Sequence, residues 1–479
     1  MSAPSKEEKM IESSEKESTR KAAEELRHAW DDMMASLESA RNAIDQPELM
    51  PAPQNPRNLA EGYRYLMGFA HSAIERAFHE DKERPAFRNA LSIINRATID
   101  NSDAIYFYAP IDGRQSYVIS GQTFDSREWR GETPAAEEPR APHYVIFEAS
   151  AGVLAGDSGD LKELAPGVKA MTGRIDSSDI EVDSEGHFEI LLAPERPKGH
   201  LGNFVSTLKV SEQARPSDSD APRERFATYI SGRQIFNDWQ HEEPIHLSIT
   251  RLASGADAPP PYSPEQAAAE LRRCGELVRG QMHFWNAFWT VLMGVYGPRE
   301  GSIPGIEFPR NGFNTINAAT GATGGGMSTN LYAGGVFELG PDEALVIENR
   351  IPLRPQYYGF QIANLWGESL EYAHRFGSLN SSQSKVDPDG VIRLVVAHQD
   401  PGVPNWLDTT GHAEGFLTPR WAYSETPPAE QWPSISAKKV PFAEIREHLH
   451  PDTPSVSAEE RAQQIAVRSS HVQKRFRVF

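Results

Sequence analysis

The chain has 479 residues, more than one hydrophobic core organises, so the expectation is two domains with helical additions. Its hydrophobic, aromatic and charged fractions (39%, 9% and 24%) are those of an ordinary globular protein. The net charge of −19 argues against nucleic acid as a partner, because phosphate binding needs a basic face, and against an anionic membrane surface.

A single cysteine, Cys274, rules out an intramolecular disulfide and a cysteine-based zinc cluster. The opening "MSAPSKEEKMIESSEKESTRK" has no apolar segment of a secretory signal. No apolar run approaches the ~18 residues of a membrane span. "FWNAFWTVLMGVYG" at 284–297 is too short and reads as a buried helix end. The expected location is the cytoplasm.

In chain order, 1–20 reads as a polar, disordered tail, and 21–100 as a helical region. Leu26, Trp30, Met33, Leu37, Ala40 and Ile44 form an apolar stripe that packs on its own domain or, less readily, on a second copy in a homo-oligomer. Further helices are expected over about 59–79 and 85–95. The segment 101–253 is β-rich: a hairpin around Asp112-Gly113, then strands beginning near His143, His187 and Ile245. Residues 211–225 read as a polar surface loop. A Pro-rich linker, a helix over roughly 263–293 and a glycine-rich loop fill 254–329, a second β region covers 330–435, and 436–479 is helical. There Ser457 and Glu460 stand at capping-box spacing.

"VDSEGHFEILLAPERP" at 182–197 aligns without gaps on "VDPDGVIRLVVAHQDP" at 386–401, and "YVIFEA" at Tyr144 falls near "YGFQIA" at Tyr358 at almost the same offset. The fold class expected is mainly β with peripheral helices: two antiparallel jelly-roll-like sandwiches from an internal duplication.

Five stretches carry a resemblance: "NSDAIYFYAPIDG", "IFNDWQHEEPIHLSITRL", "LGPDEALVIE", "YYGFQIANLWGESLEYAHRFGSLN" and "DPGVPNWLDTTGHAEGFLTPRW". They resemble domain-of-unknown-function family 1214, often paired with the related family 1254. The C-terminal match spans about 330–446 with several motifs in order, and 59–252 resembles the longer members. The resemblance implies two jelly-roll-like β domains with helical decoration and no settled reaction. The first copy, "KGHLGNFVSTLKVSE", lacks the Asn-Trp-Leu-Asp and Gly-His elements of the second, so a single chemical site is expected in the second domain.

The densest chemistry lies at 400–421. As a proton-handling site it would use His412 with Asp408, and Arg420 or Asn405 would hold a ligand oxygen. As a structural turn, Asp408-Thr409-Thr410 would satisfy its own backbone, with the tryptophans in the core. In the strand beginning at Tyr357, Tyr358, Phe360 and Ile362 alternate with Gly359, Gln361 and Ala363. A pocket wall of Tyr358, Gln361, Asn364, Trp366 and Trp406 would suit a sugar-like or polycyclic small molecule, and the rival reading has the amides bonding backbone at a sheet end. The glycine-rich 317–330 lacks a P-loop lysine and reads as a surface connection or a lid. No metal or cofactor is expected: "EVDSEG" lacks the glutamate of a calcium loop, neither β region has a His-x-His with a following glutamate, and no His-Glu-x-x-His occurs. "DWQHEEP" at 238–244 gathers carboxylates around His241 at a solvated strand entry or, alternatively, beside a site between the domains. Two functions follow: an acid/base enzyme (hydrolase, lyase or hydratase) acting on a small oxygenated metabolite, or a non-catalytic ligand-binding or assembly module.

Overall fold

The computed structural model describes residues 6–45, 55–135, 139–164, 168–210, 224–252, 258–289, 308–318 and 329–476. The chain is mostly β with helices, and its sheets are open. Residues 211–223 of the expected surface loop at 211–225, the far end of the apolar patch and the centre of the glycine-rich segment lie outside the described residues, and 224–225 are strand.

Helices α1 (Lys6–Asp45), α2 (Pro56–His79) and α3 (Pro264–Ala287) form one layer. The helix reaches back to Lys6, which corrects the expected tail: residues 13–20 are exposed yet helical, with Glu17–Lys21 and Arg20–Glu24 pairs one turn apart. The apolar stripe packs on α3 within its own chain, which removes that support for a coiled-coil dimer. Gly275 permits the approach, since a Cβ there would sit 2.9 Å from the Met33 Cα. Ala29 takes the inward position expected of Trp30, which is exposed. Helix α4 (Ala458–Phe476) opens with the expected capping box: Ser457 Oγ accepts from the Glu460 N–H and Glu460 accepts from the Ser457 N–H. No helix among the described residues is long and apolar enough to cross a membrane.

The first sandwich contains β1 (Arg88–Leu91), β2 (Ala104–Pro110), β3 (Tyr117–Gln122), β4 (Tyr144–Ala151), β5 (Ala170–Asp176), β6 (His187–Ala193) and β7 (Asn203–Ser206), then a small ribbon of β8 (Leu208–Val210) and β9 (Glu224–Phe226), and finally β10 (Tyr229–Ile235) and β11 (His246–Arg251). Sheet β1-β2-β10-β4-β5 faces sheet β11-β3-β6-β7 across Phe107, Phe147, Ile119 and Ile190. Two expectations fail here. The segment expected as a helix over 85–95 supplies strand β1, because its backbone adds to the edge of β2. The stretch around Asp112-Gly113 is no hairpin: β2 and β3 lie in opposite sheets, and the Gly113 N–H donates to the Ala227 carbonyl, so close that a Cβ at Gly113 would meet the Ala227 backbone at 2.5 Å.

The second sandwich contains β12 (Asn330–Tyr332), β13 (Gly335–Glu338), β14 (Glu343–Arg350), β15 (Tyr357–Ala363), β16 (Ser378–Asn380), β17 (Val391–Ala397), β18 (Trp406–Asp408), β19 (Glu414–Ala422) and β20 (Ser434–Pro441). Its sheet β20-β14-β17-β18 repeats the order of β11-β3-β6-β7, including a final parallel pair in each. Asn203 and Asn405 lock these parallel pairs in the same way. The Asn203 side chain accepts from the Glu181 N–H and donates to the Glu181 and Glu189 carbonyls; Asn405 accepts from the Lys385 N–H and donates to the Lys385 and Arg393 carbonyls. The span from the strand to its asparagine is 14 residues in the first sandwich and 12 in the second, so a gapless alignment misses the pair. Asn405, expected to hold a ligand oxygen, is thus a structural lock.

The sandwiches meet over Asp103. Its carboxylate accepts from Tyr357 Oη at 2.5 Å, Trp239 Nε1 at 2.9 Å and Asn380 Nδ2 at 2.9 Å. Replacing either lock by alanine leaves buried backbone groups unpaired, and we expect Asn203→Ala and Asn405→Ala each to lower unfolding free energy by about 1–3 kcal/mol in chemical denaturation. Wild-type stability in Asn405→Ala would refute this role.

Candidate functional site

The residues of 400–421 are drawn to separate partners. Asp408 pairs with Arg375 at 2.8 Å and accepts from the Thr410 N–H, as an Asx turn requires. His412 turns away from it: Nε2 lies 2.7 Å from Glu61 on α2, and Nδ1 is within reach of the Thr409 carbonyl and Thr410 Oγ1. With both ring nitrogens engaged and the residue buried, His412 has no free nitrogen for a substrate. Arg420 donates to the Ile99 carbonyl at 3.2 Å, beside the joint between the sandwiches. Trp406 donates to the Ala397 carbonyl and lies under the Arg461 guanidinium, which also holds Asp400. The expected constellation of His412, Asp408, Arg420 and Asn405 is therefore not brought together.

The expected pocket wall is similarly divided. Tyr358 faces the core of the second sandwich, as the alternation requires. Gln361 accepts from Ser102 and donates to the Asp100 carbonyl, binding the backbone that enters β2. Asn364 donates to Glu61 at 3.1 Å and to Glu368 at 2.7 Å, and Arg64 reaches the same Glu368 oxygen at 2.7 Å. Trp366 is fully buried, with Nε1 donating to the Asn58 carbonyl. Gly62 makes room for it, since a Cβ there would sit 2.6 Å from the indole. Glu61, Asn364, Glu368, Arg64 and His412 thus form a polar knot that fastens α2 to the second sandwich. Nothing in the sequence marked Glu61 beyond its place on the inward face of a helix.

The concave surface lies elsewhere, between the sandwiches. Two lobes of about 320 Å³ and 650 Å³ share Glu128, His143, Arg354, Pro355 and Gln356. Of the residues expected in a pocket wall, Tyr358 lines the larger lobe. Glu128 sits on a short 3-10 turn (Arg127–Arg130) pinned by Trp129 to the Pro142 carbonyl and by Arg130 to the Ser177 carbonyl. His143 leads into β4, and Nε2 lies 2.8 Å from the Gln356 carbonyl of the other sandwich. Glu242, from "DWQHEEP", accepts the N–H groups of His143, Asn237 and Asp238. That motif therefore borders the cleft between the sandwiches. Burial pushes Glu242 up to about 8, against His143 and its three backbone donors. Burial alone would depress His143, but Glu128, Glu242 and the Gln356 carbonyl carry it above the ordinary histidine range, while His143 draws Glu128 below the ordinary carboxylate range.

Arg354 lines both lobes and Arg174 the smaller one. Both are exposed, and neither has an ion pair or hydrogen bond among the described residues. The carboxylate nearest Arg174 in chain, Asp176, accepts from Ser178. The cleft can thus offer two guanidinium forks to an anion.

The knot has a testable titration. Burial would raise Glu61, but the His412 hydrogen bond and charge, Arg64 and Asn364 outweigh it and hold its pKa below the ordinary carboxylate value. A depressed folded pKa gives stability that is present above the unfolded value and lost as pH falls through the folded one. Glu61→Gln is therefore expected to destabilise the chain at neutral pH by about 1–3 kcal/mol, with the difference from wild type shrinking below about pH 4.5 in denaturation at stepped pH. A pH-independent difference would refute it.

No protein-family model matches the chain, and no curated protein does. The fold is similar to a solved structure of an uncharacterised protein from Burkholderia cenocepacia, with 25% identity and a TM-score of 0.67 over 88% of this chain and 99% of that one. The VPA0106 protein from Vibrio parahaemolyticus matches at 12% identity and a TM-score of 0.37 over 84% of this chain and 100% of that one.

Proposed function

We propose that the chain binds a small, oxygenated, anionic metabolite, an organic or sugar acid, in the cleft between its two sandwiches. The observation that carries this is the pair Arg354 and Arg174, exposed in a two-lobed cleft with no carboxylate partner among the described residues. Guanidinium forks select carboxylates or phosphates by geometry, and the polar groups of the larger lobe (Asn237, Ser381, Ser382) suit hydroxyls. Hydrolase, lyase or hydratase chemistry on the same ligand is a second reading, favoured by the imidazole and carboxylates at the junction of the lobes. The repeated strand order and the paired locks Asn203 and Asn405 support descent of the sandwiches, of jelly-roll type, from one duplicated unit, in line with the resemblance to family 1214. The lone Cys274, buried as a free thiol, suits a cytoplasmic location.

A thermal-shift screen of hydroxy acids, sugar acids, phosphate esters and their neutral analogues tests the reading. The acids are expected to raise the melting temperature and the neutral analogues not. Arg354→Gln, on an exposed side chain, is expected to leave the unliganded melting temperature unchanged and to weaken acid binding at least tenfold, about 1.4 kcal/mol. Equal response to acids and neutral analogues, or full affinity in Arg354→Gln, would overturn it.

A further inference from the structure

Three metal-ligating side chains from distant parts of the chain converge where the lobes join. A ring nitrogen of His143 and one carboxylate oxygen each of Glu128 and Glu242 lie within 4.8 Å of one another, and Nδ1 is the nitrogen turned to Glu128. The tautomer of His143 follows from its other nitrogen. A carbonyl oxygen can only accept, so Nε2 carries the hydrogen directed at Gln356, 2.8 Å away. In the neutral ring Nδ1 then presents a bare lone pair. That atom is buried, has no hydrogen-bond partner among the described residues, and faces Glu128 Oε1 at 3.4 Å. A lone pair set against carboxylate oxygens is repulsive unless a cation, either a metal ion or the second proton of the ring, stands between them.

The surroundings are those of a ligand set. An imidazole that ligates a metal through one nitrogen is held by an N–H to carbonyl bond from the other, as His143 is by Gln356. A ligating carboxylate is itself oriented by donors, as Glu242 is by the N–H groups of Asn237, Asp238 and His143. Two ligands on a tetrahedral ion with bonds near 2.1 Å stand about 3.4 Å apart, the spacing of His143 and Glu128. Glu128 is 39% exposed at the side chain and has room to close the rest. Arg140, which lines the larger lobe with Arg354, lies 3.5 Å from Asp238, a carboxylate outside the set.

We propose that Glu128, Nδ1 of His143 and Glu242 form a site for one divalent transition-metal ion of the zinc or manganese class, with the remaining coordination positions left to water or to a cleft ligand. One nitrogen and two carboxylates suit these ions better than the soft ions that select thiolates. The site stands on its own geometry and does not rest on the anion reading, although an ion there would put a Lewis acid in the same cleft.

The full chain, stripped with a chelator and dialysed, is titrated calorimetrically with zinc and with manganese, and its metal content is measured after equilibrium dialysis. One equivalent is expected to bind and to raise the melting temperature. Affinity is expected to fall at least tenfold in Glu128→Gln and at least a hundredfold in His143→Ala, while His187→Ala, at an exposed histidine beside Asp183, binds as wild type does. If His143→Ala fails to fold for want of the Gln356 contact, Glu128→Gln carries the test alone. Absence of saturable binding, or wild-type affinity in Glu128→Gln, overturns the site. So does an Nδ1–H proton on His143 that persists by NMR at saturating metal, which would make a proton the missing cation. Acid ligands are screened on the stripped protein, so failure of that reading is seen separately.

Discussion

The buried carboxylate of Asp103 sets how the two sandwiches sit on one another. Burial pushes its pKa above the ordinary carboxylate range, against the Tyr357 and Asn380 donors and the Arg475 and Arg468 charges that favour the anion. Its partners come from both sandwiches: Trp239 from the loop before β11, and Tyr357 and Asn380 from β15 and β16. A hydrophobic seam could slide, whereas three donors on one carboxylate fix a single register, because each donor left unpaired in a dry interface costs about 1–3 kcal/mol. Helix α4 closes the joint. Arg461, Arg468 and Arg475 recur every seventh residue on its inner face, donate to carbonyls of Pro404, Tyr372 and Ser102, and lie over Trp406 and Trp239.

The cleft is a consequence of that register. Its walls come from both sandwiches, and the His143–Gln356 bond crosses between them. The polar knot around Glu61 is the contrasting case. There the helix layer meets the second sandwich, the polar groups satisfy one another, and His412 keeps no nitrogen free. At the cleft the polar groups surround open volume, and Nδ1 of His143 faces Glu128 with no hydrogen-bond partner among the described residues. Satisfied polar clusters hold structure, while an unsatisfied one in a concavity is where a ligand or ion gains most.

The two sandwiches share a frame and differ in what is hung on it. Asn203 and Asn405 make the same three bonds, and the N–H groups of Thr207 and Thr409 donate to the carbonyls of Ala193 and Ala397. Of the elements peculiar to the second sandwich, His412 points to Glu61 on α2, rather than to a substrate, and Trp406 lies under Arg461 of α4. The asymmetry that suggests an active site in the sequence is an asymmetry of helix attachment.

The sequence by itself determined the β-rich class, the capping box of α4, the alternation of Tyr358, Phe360 and Ile362, and the positions of β4, β6, β11 and β15, because these follow from local periodicity and turn chemistry. It misplaced 85–95, where pairing with β2 overrides local preference, and the turn at Gly113, whose partner Ala227 lies far along the chain. The candidate residues of 400–421 were legible as polar but not by partner. Whether Asp408 meets His412 or Arg375, and His412 meets Glu61, depends on the packing of elements hundreds of residues apart. The tertiary structure alone brought Glu128, His143 and Glu242 together beside Arg354, because proximity across two sandwiches is set by their register at Asp103 and has no local signature.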